Sequence, residues 1–181
     1  MAGAVTDTTR SRVYYTRKFG YFLAFLDFVP EITDGETGRR IAPSELKELG
    51  LASVESVRAV VALLSSSTFF WFWNVLSDCR NLNRRDLLAF PFDPERVPPE
   101  FKRQIAGLGK RYLVELRKTS RTMLKNGLKI ETFEYAECKP IIDEIDTVLA
   151  RHYGFTEEEL DFIINYDIKY RMGRDAESED E

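Results

Sequence analysis

Between Ser65 and Phe92 the chain runs Thr68-Phe69-Phe70-Trp71-Phe72-Trp73 and then Asp78-Cys79-Arg80-Asn81-Leu82-Asn83-Arg84-Arg85-Asp86. Phe69, Phe72, Trp73 and Leu76 recur at three- and four-residue steps, which predicts a helix with one buried face. Rings of this size bury a large apolar area, so the block should be held firmly in a core. Asn81 and Asn83 carry hydrogen-bond donors and acceptors, and Arg80, Arg84 and Arg85 carry rigid donor forks. Such side chains read purine edges and grip phosphates. Leu87-Leu88-Ala89-Phe90, closed by Pro91, predicts a strand returning to the core. The expectation is a rigid element presenting a basic Asn/Arg loop; the plainer alternative is an ordinary solvated loop.

Outward from that stretch, 181 residues fit one domain, or one domain with a helical appendage, and suffice for a sizeable core. The start, Met1-Ala2-Gly3-Ala4-Val5-Thr6-Asp7, lacks the positive segment and apolar run of a signal peptide. No window approaches the roughly 18 uninterrupted apolar residues of a membrane span, since Asp27 interrupts the longest run, Tyr21 to Val29. A soluble, cytoplasmic protein without membrane contact is expected. Cys79 and Cys138 have neither framework nor zinc spacing and read as buried or idle thiols.

The net charge of −4 argues against a nucleic-acid binder, but its distribution does not. From Arg80 to Lys125 there are twelve Lys/Arg against five Asp/Glu; from Glu131 to Glu181 there are five against sixteen. The asymmetry predicts a basic working face with an acidic region elsewhere. Alternatively, basic and acidic helices pack together and neutralise each other.

Residues 1–12 read as a flexible lead-in. Val13-Tyr14-Tyr15 and the run from Phe19 to Val29 are aromatic and β-prone, which predicts a hairpin with Arg17 and Lys18 near its tip. Asp34-Gly35-Glu36-Thr37-Gly38 is a turn cluster, and Pro43-Ser44-Glu45-Leu46-Lys47 suggests a short helical turn. Ser53 is a candidate N-cap for a helix with Val54, Val57, Val61 and Leu64 on one face, interrupted at Ser65-Ser66-Ser67. The prolines between Asp93 and Glu100 mark a linker.

A helix from about Phe101 to Lys125 should bury Ile105, Leu108, Tyr112, Leu116 and Met123. Its outer stripe would carry Lys102, Arg103, Lys110, Arg111, Lys118, Arg121 and Lys125, and Asn126-Gly127 would end it. The stripe read alone is also what a solvated helix face looks like. Leu128 to Tyr135 reads as a strand. Pro140 opens a helix ended by Gly154, with Ile141, Ile145, Val148, Leu149 and His152 aligned. Thr156 and Glu159 form a capping box for a last helix reaching about Tyr170, and the acidic 173–181 reads as a disordered tail.

Catalytic signatures are weak. His152, the only histidine, sits near a helix end with no reason to meet a particular nucleophile. Asp143, Glu144 and Asp146 cluster, but on a helix they should mostly face solvent. Asp167-Ile168-Lys169 matches half of a nuclease site, a pattern ordinary helices produce by chance, and no glycine-rich phosphate loop is present. Binding, not catalysis and without a cofactor, is the expected role.

Three stretches carry a family resemblance: Tyr14-Tyr15-Thr16-Arg17-Lys18-Phe19-Gly20-Tyr21; Leu64 to Pro91, including the Asn/Arg loop; and Ile141-Ile142-Asp143-Glu144-Ile145-Asp146 through Tyr153-Gly154-Phe155-Thr156 to Arg171. Together, from about Val13 to Met172, they resemble the C-terminal region of type IIG restriction–modification adenine-N6 DNA methyltransferases and related phage-exclusion enzymes. The resemblance implies a target-recognition, or specificity, domain that reads double-stranded DNA. A separate methyltransferase catalytic domain or subunit, binding S-adenosylmethionine, would transfer the methyl group. The family's Asn-Pro-Pro-Tyr tetrapeptide is missing, Val97-Pro98-Pro99-Glu100 sharing only its prolines, so the chain should not methylate DNA alone.

The expected fold is α+β: a small mixed or antiparallel sheet with packed helices, similar to a restriction–modification target-recognition domain, plus a C-terminal helical segment. Expected boundaries are 1–12, a recognition core 13–92, a linker, basic helix and strand at 93–135, a helical pair at 136–172 and the tail 173–181. Arg17, Lys18, Arg80, Asn81, Asn83, Arg84 and Arg85 are the candidate DNA-reading residues, with Lys110, Arg111, Lys118 and Arg121 gripping phosphate. The rival readings are a protein-interaction module docking a catalytic partner through the acidic C-terminal helices, and a latent nuclease.

Overall fold

The computed structural model describes residues 5, 10–17, 22, 24–77 and 79–172. The expected tail lies outside these residues, as do most of the lead-in and Lys18. The protein is α+β, with two antiparallel three-stranded sheets and helices packed around one hydrophobic core.

The first sheet has the order β2 (Phe25–Leu26), β1 (Ser11–Thr16), β4 (Leu46–Leu51). Tyr14 lies opposite Leu26, and Ser11 to Thr16 run against Leu51 to Leu46. The expected hairpin forms, but its second strand is only two residues long. Leu46 and Lys47 belong to β4 rather than to a helical turn, because pairing along β1 overrides the local preference. The second sheet has the order β3 (Ile32–Asp34), β6 (Leu128–Thr132), β5 (Arg121–Lys125). A cleft of about 580 Å³ separates the two sheets, walled by Leu26, Pro30, Ile32, Leu46, Ile130 and Phe133.

α1 (Val54–Leu64) starts as its sequence predicts, with the Ser53 hydroxyl accepting from the Ser56 N–H at 3.1 Å. It contacts β1, β2 and β4 on one side and three other helices around it, so Ala59 through Leu64 are buried all round and not on one stripe. Val54, placed on the buried face by its spacing, is exposed in the first turn. α4 (Pro99–Lys118) packs on α1 through Gly109, where an added Cβ would lie 2.0 Å from the Arg58 carbonyl oxygen.

α4 stops at Lys118, seven residues before the expected end at Lys125. Asn126 and Gly127, both with positive φ (51° and 75°), form a two-residue hairpin turn of β5 and β6 rather than a helix end. Met123 is accordingly an exposed strand residue and not a core one.

The serine break bends α1 against α2 (Ser67–Leu76) by 63°, and the Ser66 hydroxyl accepts from the Phe69 N–H at 3.0 Å. Phe69, Phe70 and Trp73 are buried, whereas Leu76 is exposed at the last turn. Asp146 supplies the other cap. Its carboxylate accepts from the Ser67 N–H (3.0 Å), the Thr68 N–H (2.8 Å) and the Thr68 hydroxyl (2.8 Å). Asp146 is 0% exposed and departs from the expectation that this cluster mostly faces water, which Glu144 meets. Burial pushes its carboxyl above the usual range, against the pull of these donors.

α5 (Lys139–Tyr153) carries Asp146 and ends at Gly154 in the left-handed conformation (φ 74°), as predicted. The Thr156–Glu159 capping box also forms. It opens α6 (Glu157–Asn165); Asp167, at φ 53°, separates this from α7 (Ile168–Arg171), so the expected single last helix is two. Arg171 reaches back into the core, donating to the Ser67 hydroxyl at 3.0 Å and lying over the Phe70 and Phe22 rings. Among the described residues no single helix is long and apolar enough to cross a membrane.

Intrinsic helix preference favours Gly109→Ala by about 1 kcal/mol, but the steric clash should reverse the sign. A loss of about 1–3 kcal/mol is expected in urea unfolding, and a more stable variant would mean that α1 and α4 do not meet so closely. Asp146→Ala strands two buried N–H groups, removes the charge that faces Arg171 and should cost about 3–5 kcal/mol; an unchanged urea midpoint would refute the buried cap.

Candidate nucleic-acid interface

Two backbone devices build the Asn/Arg loop. Leu82 is buried, and its N–H donates to the Arg17 carbonyl at 3.1 Å, fastening the loop to the end of β1. Asn83 then caps α3 (Arg84–Ala89), its N–H donating to the Asp86 carboxylate at 3.0 Å. The segment expected to return as a strand is therefore a short helix, because Asn83 and Asp86 form a local N-terminal cap before Leu87 reaches the core.

Four of the expected residues converge here. The Arg17 guanidinium donates to the Asn83 side-chain oxygen at 3.2 Å, and the Asn83 amide donates to the Asn81 carbonyl at 3.0 Å. Arg84 opens α3 beside them. Asn83 is thereby occupied in bracing the loop, while the exposed Asn81 keeps its side-chain amide at the surface. Arg85 points outward with its side chain 91% exposed and only a loose 3.8 Å approach to Asp86. Arg80 is exposed next to Cys79, which adopts a left-handed φ of 52°.

Beneath the loop, Tyr15 is 4% exposed. Burial raises its phenol above the ordinary range, while the fields of Arg84 and Arg17 pull it down and Asp86 pushes it up. A polar notch of about 360 Å³ adjoins, lined by Arg17, Ser44, Glu45, Lys47 and Asn81. Ser44 and Lys47 were not legible as site residues, since that segment read as a helical turn. Only its pairing to β1 carries them to the notch.

The expected phosphate-gripping stripe is differently disposed. Arg111 makes two bonds to Glu144 (2.6 and 3.0 Å), Lys118 meets Glu115 at 2.7 Å, and Arg121, on β5, meets Glu134 at 3.2 Å. Arg117 pairs with Asp27 at 2.9 Å while lying over the Phe28 ring, and Lys102 pairs with Glu95. Only Lys110 of the four proposed phosphate residues makes no ion pair among the described residues. Exposed pairs of this kind contribute about 0–1 kcal/mol each, but their carboxylates offset the field that would draw phosphate. For Arg111 the alternative of basic and acidic helices packing together is what the structure shows.

His152 stacks on Phe101 with ring centres 4.3 Å apart, and burial lowers its pKa. Cys138 is buried and pushed up to about 11 by desolvation, whereas Cys79 is exposed. Among the described residues no three His, Cys, Asp or Glu side chains converge as a metal site. Compared with protein families, with curated proteins and with solved structures, the chain matches none.

A depressed imidazole pKa stabilises the fold above the unfolded value of about 6.5, and that contribution is lost as pH falls through the folded pKa. The single histidine gives one clean proton NMR titration, whose midpoint should lie below 6.5. A midpoint above the unfolded value would contradict the packing on Phe101.

Proposed function

We propose that the protein is a DNA target-recognition module of a restriction–modification or phage-defence adenine-N6 methyltransferase system. It is non-catalytic by itself and works with an S-adenosylmethionine-binding catalytic domain or subunit. The observation that carries this reading is the loop in which Arg17, Asn81, Asn83 and Arg84 are fastened together by hydrogen bonds and a capped helix. A loop held this way presents amide and guanidinium groups without first having to be ordered, which favours specific contact.

The roles divide by geometry. Asn83 positions Arg17; Asn81 and Arg85 face outward, where an amide can pair with adenine and a guanidinium with guanine, each pair worth about 1–3 kcal/mol of discrimination. Lys47, beside Arg17 in the notch, adds a phosphate contact. The family resemblance supplies the methyltransferase context, and the loop geometry is compatible with it.

One observation favours a second reading, in which the acidic C-terminal helices dock the catalytic partner. Phe162 is 57% exposed on α6 among Glu157, Glu158 and Asp161, an apolar anchor within a charged rim. The two readings concern different surfaces and can hold together.

Arg84→Ala with Arg85→Ala should weaken binding to duplex DNA at least tenfold in a gel-shift titration at low salt, with the thermal unfolding midpoint unchanged. Equal affinity for wild type and the double variant would remove the loop as the site. Absence of binding by the wild type at both low and moderate salt would remove the DNA reading itself.

A further inference from the structure

We infer that the outward face of the second sheet is a second contact surface for the sugar–phosphate backbone of duplex DNA, separate from the Asn/Arg loop. The inference rests on the DNA reading above and adds a surface to it. The pairing registers carry it. Leu124 lies opposite Lys129, Lys129 opposite Thr33, and Thr33 opposite Arg40, so the four side chains form one row across the sheet. Leu128, Ile130 and Ile32 line the cleft; residues one step along each strand, Lys129 and Thr33, therefore face the other way. Leu124 is 70% exposed, and Lys129 and Arg40 are exposed too.

These cations differ from those of α4. Arg40 and Lys129 make no ion pair among the described residues, whereas Arg111, Arg117 and Lys118 are all paired. Two of the nearby carboxylates are engaged internally. Asp34 accepts from the Thr37 N–H and hydroxyl and from the Glu36 N–H, and Glu131 accepts from the Glu31 N–H and the Ser120 hydroxyl. Of the other acids beside the row, Glu31 and Glu36 are exposed and their carboxylates make no such contact among the described residues.

Lysines often sit on edge strands to block edge-to-edge association. That accounts for Lys125 on β5 but not for Lys129, which lies on the central strand of the sheet, nor for Arg40 beyond β3. With strands about 4.8 Å apart, Lys129 and Arg40 stand about 10 Å from each other, a spread suited to separate phosphates. The tip is also pre-set. Gly35 donates to the Gly127 carbonyl at 2.7 Å, and a Cβ at Gly35 would lie 2.6 Å from that oxygen, so the β3 turn and the hairpin turn are locked together. A paired ribbon has dimensions that the DNA major groove admits, and the exposed Leu124 offers apolar contact to a sugar or thymine methyl.

The experiment is duplex affinity against salt concentration for the whole chain, using two DNA duplexes of unrelated sequence. Neutralising one cation that grips a phosphate reduces the slope of log affinity against log salt by about 0.9. Arg40→Gln with Lys129→Gln should shift the slope by about 1.8 and weaken both duplexes equally. Lys129→Gln and Arg40→Gln singly should each shift it by about 0.9, keeping the test readable if the double variant unfolds. Wild-type binding with an unchanged slope in these variants overturns this surface and leaves the loop reading intact. No wild-type binding to either duplex overturns both. Loss of binding to polyglutamate, with the DNA slope unchanged, would assign the row to an acidic protein and likewise overturn the inference.

Discussion

Asp146, on α5, closes the N-terminus of α2 from across the core, and much else follows from that contact. The aromatic helix begins at a serine break, where its first N–H groups would be unpaired in an apolar interior. A carboxylate that takes two of them and a hydroxyl at once ties residues nearly eighty positions apart. Arg171 completes the arrangement from the far end of the chain, donating to Ser67 while its guanidinium lies against Phe70 and Phe22. A buried charge is tolerated only when it is paired and hydrogen-bonded, so α2, α5 and α7 are held in one relative position.

That position fixes the Asn/Arg loop. Phe69 and Phe72 pack on Phe90, and Phe90 meets Tyr153 of α5. The loop is thereby anchored at both ends, by the aromatic helix before it and by Phe90 after it, while Leu82 pins its middle to β1. Rigidity there comes from packing and backbone bonding, not from the charged side chains themselves. Arg85 reaches into solvent, while Asn83 is used to position Arg17.

Charge is distributed by the fold in a way that counting residues does not show. The basic central segment divides at Lys118 into a helix and a hairpin. On the helix and its junction, Glu144, Glu115, Glu134 and Asp27 are brought against the cations. On the sheet, Asp34 and Glu131 turn back to backbone N–H groups and hydroxyls, and Lys129 is exposed to water. The cleft between the two sheets has mainly apolar walls.

What the sequence determined alone was local and short-range: Ser53 and Thr156 as caps, the serine break, Pro140 and Gly154 bounding α5, and the α+β class from the mix of periodicities. Each depends on a few neighbouring residues and on backbone conformations that only certain side chains favour. The tertiary structure decided the rest. Arg121 to Lys125 became a strand because the two positive-φ residues after it turn the chain back on itself, a preference that competes with helix continuation and wins once Leu128 and Ile130 have a sheet to join. Leu46-Lys47 became a strand through β1, and Asp146 became buried through α2. Partners distant in sequence settled each of these, because pairing and desolvation energies exceed the few tenths of a kcal/mol by which local propensities differ.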